Sequence, residues 1–268
     1  MKQIFILCGL VSLAGCGGGG GGDGGMPNMG AAPSDSQLLA LTAGQTKFLT
    51  NIAIGSGGTI GTSNWTVTHP DQVTIGASQG SLDIAAGQVT FSGQNLVTLT
   101  NPATTEHVLM TQATAGATGV VGEATPSGTV AATGVAAYSG SGTAVVVDGA
   151  AVYTLTGSAA ISVDFAGAGD VDIALSGLSG QRRGTSNSTV SGHNMRIDNA
   201  TISGNQISGG TFSAPAGQYS PDPGSAGSFA HSGGFFGPDS AEIGGVAHYD
   251  ETGTTTAFTA TMTYIGKQ

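Results

Sequence analysis

The sequence predicts an all-β protein with an antiparallel barrel, and three observations carry that prediction. The chain of 268 residues holds 48 glycines, and only 8% of its residues are charged. It is poor in the Leu, Lys, Glu and Arg that build surface helices, so almost no helix is expected once the first residues are set aside. Second, short runs of β-branched and aromatic residues alternate with polar ones and are punctuated by Gly, Pro, Asn and Asp, the pattern of half-buried strands and turns. Third, Ile161, Val163 and Phe165 alternate into Gly167-Ala168-Gly169-Asp170, and Val171, Ile173 and Leu175 alternate away again, the clearest hairpin in the chain.

At the start, Lys2 precedes a short apolar run from Ile4 to Val11, followed by Leu13-Ala14-Gly15-Cys16. The run is too short to span a bilayer and reads as a secretory signal over residues 1–15. Leu-Ala-Gly-Cys resembles the lipobox of bacterial lipoproteins, which implies cleavage before Cys16 and lipidation of that residue. Cys8 lies in the removed segment, so the mature chain is expected to hold no disulfide. Gly17, where an aspartate would favour inner-membrane retention in bacteria resembling the enteric ones, points by the same resemblance to the outer membrane. Residues 16–33, a glycine run with a Met/Pro/Ala-rich continuation, read as a tether with a root-mean-square reach of roughly 23 Å.

Residues 34–125 offer extended runs at Lys47 to Ile54, Asn64 to His69, Gln72 to Ile75, Gln88 to Ser92, Leu96 to Thr100 and His107 to Thr111. Ala124-Thr125-Pro126-Ser127-Gly128 interrupts the pattern and marks a domain boundary. Residues 126–268 then supply Gly134 to Tyr138, Thr143 to Val147, Val152 to Thr156, the hairpin above, Ser191 to Ile197, Thr201 to Ile207, Thr211 to Ser213, Ser228 to Gly237, Ala241 to Tyr249 and Ala257 to Ile265. An up-and-down antiparallel barrel uses such strands and leaves no open edge.

The sharpest local pattern runs from Gly233 to Gly245, as two strands and a turn. Phe235 and Phe236 give one ring to each face of a strand, Gly237-Pro238-Asp239 is turn punctuation, Glu242 opens the second strand, and Gly244-Gly245 marks a bulge, a bend or a close backbone approach. This segment resembles the C-terminal signature of the transferrin-binding protein B-like lipoproteins, a group that includes the factor H-binding proteins and lipoproteins that capture haem or haemoglobin. Asn199 to Gly209, with its Gly-Asn and Ser-Gly turns, and the Val163-Asp164-Phe165 hairpin resemble the same barrels. The resemblance covers about Gly128 to Gln268 and implies an eight-stranded antiparallel up-and-down β-barrel preceded by a smaller β-rich handle domain. Phe236 stands where relatives commonly have Tyr, and Val246-Ala247 replaces a bulkier aromatic pair.

No catalytic set emerges, and the chain is read as a non-enzyme. His69, His107, His193, His231 and His248 are far apart and show no metal-ligand spacing. No Gly-x-Ser-x-Gly stands between strand and helix, and Gly55-Ser56-Gly57-Gly58 lacks the Lys-Ser/Thr of a phosphate loop. His231 and His248 flank the signature hairpin and are candidate ligand contacts, haem iron included. Arg182-Arg183, the only paired basic site of the mature chain, is read as a loop between strands and a further candidate contact. Glu242 is read first as structural, a carboxylate placed to accept turn amides, with a partner contact as the alternative, and Trp65 is read as core of the handle, again with a partner contact as the alternative. The formal net charge of −10, with 16 acidic side chains, argues against nucleic acid as a partner.

The expected function is therefore that of an outer-membrane surface lipoprotein that binds haem, an iron-carrying protein or another solute without catalysis or a resident cofactor. A TonB-dependent receptor in the outer membrane is an expected partner. The alternative is a surface interaction protein or adhesin that recruits a macromolecule.

Overall fold

The computed structural model describes residues 47–51, 60–69, 72–75, 78–83, 86–91, 95–113, 118–167, 169–184, 187–214, 227–251 and 258–268. The expected signal, lipidation and tether segments, Cys16 among them, lie outside the described residues. Two antiparallel meanders make up the fold. The first runs through β1 (Lys47–Asn51), β2 (Gly61–His69), β3 (Gln72–Ile75), β4 (Ser78–Asp83), β5 (Gln88–Phe91), β6 (Asn95–Thr100), β7 (Val108–Ala113) and β8 (Thr118–Gly122), each strand paired with the next. The sheet curls until β1 lies alongside β8. Val73, Leu82, Val89, Leu99, Leu109 and Val121 fill its interior. The β4 and β8 strands were not among the runs the sequence offered, since Ser78–Asp83 and Thr118–Gly122 carry too few apolar residues to alternate visibly.

A short 3-10 turn at Ser127–Thr129 leads into the second meander. Its strands are β9 (Val135–Asp148), β10 (Ala151–Asp164), β11 (Asp170–Arg183), β12 (Ser188–Ser203), β13 (Gln206–Ser208), β14 (Thr211–Ser213), β15 (Ser228–Phe236), β16 (Glu242–Glu251) and β17 (Phe258–Lys267). Because β17 pairs with β9 as well as β11 with β12, the sheet closes on itself. Nine strands make eight staves, because β13 and β14 hold one common register against β12, Thr201 opposite Ser208 and Asp198 opposite Thr211. The break between them falls at Gly209 and Gly210, both at positive φ, opposite Asn199 at φ 59°. The fold is thus all-β, an eight-stranded antiparallel up-and-down barrel preceded by a smaller curled sheet.

The staves are longer than the sequence runs. The runs up to Tyr138 and from Thr143 to Val147 belong to the single strand β9, which starts at Val135, and Val152 to Thr156 joins Ile161 to Asp164 in β10. The glycines between those runs are packing positions within strands. A Cβ at Gly140 would meet the Ile265 carbonyl oxygen at 2.1 Å, and one at Gly142 would meet Leu175 Cδ2 at 2.4 Å. Arg182 and Arg183, expected in a loop, are the last two residues of β11, opposite Tyr153 and Val152. Shifts of register near Gly157 and Gly177 carry the strand past the glycines that hid its continuation.

Inward residues of the barrel form one core, with Tyr138, Leu155, Ile161, Ile173, Met195, Ile197, Phe235, Ala247, Met262 and Tyr264 all buried. The β16 and β17 strands depart from alternation, being buried on nearly every residue. One face looks into the barrel; the other is covered by β7 and β8 of the first sheet.

Candidate functional site

The β15–β16 hairpin, read from the sequence as a family signature, sits at the seam of the two sheets. Phe235 turns inward, its ring centroid 5.5 Å from that of Phe165 and 6.3 Å from that of Tyr138. Phe236 turns outward and packs with Val108, Met110 and Val120 of the first sheet and Ile265 of β17. Between them the main chain is stitched to the linker: Thr125 N–H donates to the Phe235 carbonyl at 2.9 Å, Gly237 N–H to the Glu123 carbonyl at 2.8 Å, and Thr125 Oγ1 to the Gly237 carbonyl at 2.6 Å. Gly237, at φ 73°, lies under the His107 ring, where a Cβ would come within 2.4 Å of Cδ2. Pro238–Ser240 forms a 3-10 turn with Asp239 and Ser240 at positive φ.

Glu242 is 3% exposed and accepts hydrogen bonds from three consecutive backbone amides of the first sheet, those of Glu106, His107 (2.7 Å) and Val108 (3.0 Å). Successive amides turned toward one point form a nest for an anion, and the carboxylate occupies it. The nest is shaped by Asn101, whose Oδ1 accepts from Thr105 N–H at 2.9 Å and from Thr105 Oγ1 at 2.7 Å. Lys267, opposite Glu242 on β17, donates to the Thr104 carbonyl at 3.2 Å, and the Thr118 and Thr263 hydroxyls meet at 2.8 Å. Gly244 faces the same seam, a Cβ there meeting Val108 Cγ2 at 3.1 Å; Gly245 faces the barrel interior.

His231 and His248 stand on adjacent strands, but His231 lies opposite Ala247 and His248 opposite Ala230, so the sheet separates the two rings. His231 is inside the barrel. Its Nδ1 is 3.1 Å from the Gly209 carbonyl oxygen, at the break between β13 and β14, and its Nε2 is 2.8 Å from the Tyr264 hydroxyl. Burial pushes the imidazole down to about 4, opposed by the Gly209 carbonyl, and pushes the Tyr264 phenol up. His248, outward and 4% exposed, has Nδ1 2.9 Å from Thr261 Oγ1; burial lowers its pKa and nearby Asp250 opposes that. The geometry does not offer the two histidines to one shared ligand.

Arg182 and Arg183 lie at the barrel end opposite the β15–β16 turn. Arg182 Nε donates to the Tyr153 hydroxyl at 3.1 Å, with the guanidinium carbon 5.8 Å from the Tyr153 ring centroid. Arg183 is exposed. His193, which no sequence signal singled out, lies within reach: its ring centroid is 6.0 Å from that of Tyr153. Trp65 is on β2, opposite Lys47 and Ile75. Among the described residues no group of three or more His, Cys, Asp or Glu side chains comes together that would hold a metal ion.

The family model for the C-lobe and N-lobe β-barrels of transferrin-binding protein B matches residues 85–262. No curated protein sequence matches the chain. Among solved structures it is similar to transferrin-binding protein B of isotype 1 from serogroup B Neisseria meningitidis, with a TM-score of 0.55, 18% identity, and coverage of 83% of this chain and 43% of that one. A variant of the same protein from Haemophilus parasuis Hp5 gives 0.55, 16%, 83% and 44%. Intact Ap-TbpB, with N and C lobes, gives 0.53, 17%, 83% and 46%. The chain thus spans less than half the length of these structures, and at such identities the likeness is one of fold.

Proposed function

The chain belongs to the family of β-barrels that form the lobes of transferrin-binding protein B, and on that footing we propose that it is a lipid-anchored surface protein that binds an iron source without chemistry. The ligand class is an iron-carrying protein or haem. The observation that carries this reading is that the family match, residues 85–262, runs across the seam and takes in both the amide nest at 106–108 and the Glu242 that fills it. The smaller sheet and the barrel are held as one body, so loops of both can be presented to one large partner at a fixed spacing. Pre-organisation of that kind lowers the entropic cost of binding.

Cys16 is the proposed anchor, with residues 16–33 as the spacer that lifts the folded part off the outer membrane. A TonB-dependent receptor is the proposed recipient of the load. The test displays the chain on cells and measures saturable capture of iron-loaded transferrin, haemoglobin and haem, with iron-free transferrin as control. Capture of one of these is expected; failure to retain any of them overturns the iron-source reading. Cys16→Ser should release the chain from the membrane fraction, and unchanged membrane retention would sink the anchor.

A further inference from the structure

The stave formed by β13 and β14 is paired on both sides along only part of its length. Gln206, Ile207 and Ser208 of β13 pair with β12 on one side and with Gly234, Gly233 and Ser232 of β15 on the other. Thr211, Phe212 and Ser213 of β14 pair with Asp198, Ile197 and Arg196 of β12 and, among the described residues, with no strand on the other side. Across the gap, Ser228 to His231 of β15 pair with β16 alone among the described strands. Two strand edges therefore face each other in the barrel wall, bridged at the closed end by His231, whose Nδ1 lies 3.1 Å from the Gly209 carbonyl oxygen.

The cause is a change of phase. Ile207 and Phe212 both point into the barrel although an odd number of residues separates them, and so do Ile202 and Ile197 on β12. Gly209 and Gly210 on one strand and Asn199 on the other, all at positive φ, take up the extra residue, so β12 and β14 turn over together and stay paired. The β15 strand makes no such step, since Phe229, His231 and Phe235 face inward at the regular period of two. Carried on from Ile207 opposite Gly233, the register would set inward Phe212 against outward Ser228. A strand one residue out of phase presents the wrong face, and the two edges part.

The gap has a floor and a rim. Beneath it the Phe212 ring stacks at 4.7 Å on Tyr249 and at 6.3 Å on Phe229, an apolar surface inside the barrel. Thr211, Ser213 and Ser228 on the outer side are exposed. The stretch that connects β14 to β15 carries Pro215, Pro221 and Pro223, which have no N–H to give a ladder. Asp250 lies opposite Ser228, and Asp198, opposite Thr211, is paired with Arg196 at 2.7 Å. With a net charge of −10 on the chain, a basic segment is drawn to this rim and an acidic one repelled. Edges on both sides admit a single extended chain between them, whereas a second folded copy would bring a whole sheet, which cannot enter.

We propose that the gap between β14 and β15 is a docking slot for one extended segment of a partner polypeptide, with small apolar side chains turned in and lysine or hydroxyl side chains turned out. The main chain of the segment completes the ladder on both edges, as in strand addition to an open sheet. Its inward side chains rest on Phe212 and Phe229. The inference goes beyond the iron-source reading and does not depend on it, because the slot recognises main chain.

The test titrates the full chain with an acetylated heptapeptide that alternates valine with threonine and lysine, and reads amide hydrogen exchange by nuclear magnetic resonance. In the free chain, the amides of Thr211 to Ser213 and Ser228 to Ala230 that face the gap should exchange far faster than those of β10 and β11. Saturating peptide should slow them at least tenfold. The same peptide N-methylated at alternate amides, or with its valines replaced by serine, should lose about tenfold or more in affinity, and so should Phe229→Ala. The peptide changes leave the protein untouched, so they decide the matter whether or not Phe229→Ala folds. Gap-facing amides already as protected as those of β10 and β11 would overturn the slot, as would equal binding of the N-methylated peptide or binding that leaves these amides unchanged. Protection that rises with protein concentration and ignores the peptide would overturn the partner in favour of self-pairing. Peptide binding without capture of an iron source leaves this inference standing and the iron-source reading fallen; capture without peptide binding reverses that.

Discussion

The carboxylate of Glu242, on the barrel, accepts the backbone N–H of His107, on the smaller sheet, at 2.7 Å across 135 residues of sequence. Glu106 and Val108 donate to the same carboxylate, and this contact joins the two sheets beside the apolar cluster around Phe236 and the Thr118–Thr263 and Lys267–Thr104 hydrogen bonds. Glu242→Ala leaves three amides without their acceptor. The expected loss is about 3 kcal/mol, read from chemical denaturation, since each buried unsatisfied donor costs on the order of 1–3 kcal/mol and water repays part of it. An unchanged unfolding midpoint would show that the nest is not held by Glu242.

Phe236 is the apolar half of the same seam, in contact with Val108, Met110, Val120 and Ile265. Phe236→Ala should cost about 3–5 kcal/mol. Because the loss falls between the sheets, calorimetry should show the single transition splitting in two; one sharp transition at the original temperature would contradict the seam.

Gly245 faces the Tyr264 hydroxyl, where a Cβ would come within 2.5 Å of the oxygen and 2.8 Å of the Gly233 Cα. Gly245→Ala should destabilise by about 1–3 kcal/mol through overpacking. Gly128→Ala is the control, as a Cβ there meets nothing within 4 Å. Equal melting temperatures for the two variants would refute the close approach.

His231 sets a pH dependence. Its folded value of about 4 lies below the ordinary 6.5, so the unfolded chain takes up the proton first. Stability contributed by the neutral ring is whole above about pH 6.5, falls as pH drops through that window to about 4, and is worth about 3 kcal/mol in all. Burial shifts His193 and His248 in the same direction. His231→Gln should flatten the profile between those pH values relative to the parent chain, and parallel profiles would count against the assignment.

Much of the barrel was legible because its inward faces alternate. Ile161, Val163 and Phe165 against Val171, Ile173 and Leu175 gave the hairpin that the register bears out, with Ile161 opposite Ile173 and Val163 opposite Val171. Phe235 and Phe236 did send one ring to each face. Strand lengths were not legible: a glycine inside β9 or β11 has the same letter as one in a turn, and only a neighbouring Leu175 or Ile265 in space tells them apart. Nor was the company of Arg182, because Tyr153 lies 29 residues away and meets it only when β10 and β11 pair.

By itself the sequence determined the fold class and the family, since composition, alternation and turn chemistry are local and survive in one dimension. Tertiary structure alone decided what those residues hold. The signature hairpin fastens the barrel to its neighbour because Phe236 and the outward faces of β16 and β17 are covered by β7 and β8, and burial on both faces erases the alternation that would mark a partner surface. It also decided that His231 and His248 are divided by their own sheet, a consequence of the two-residue period of a strand, which sends residues one register step apart to opposite sides.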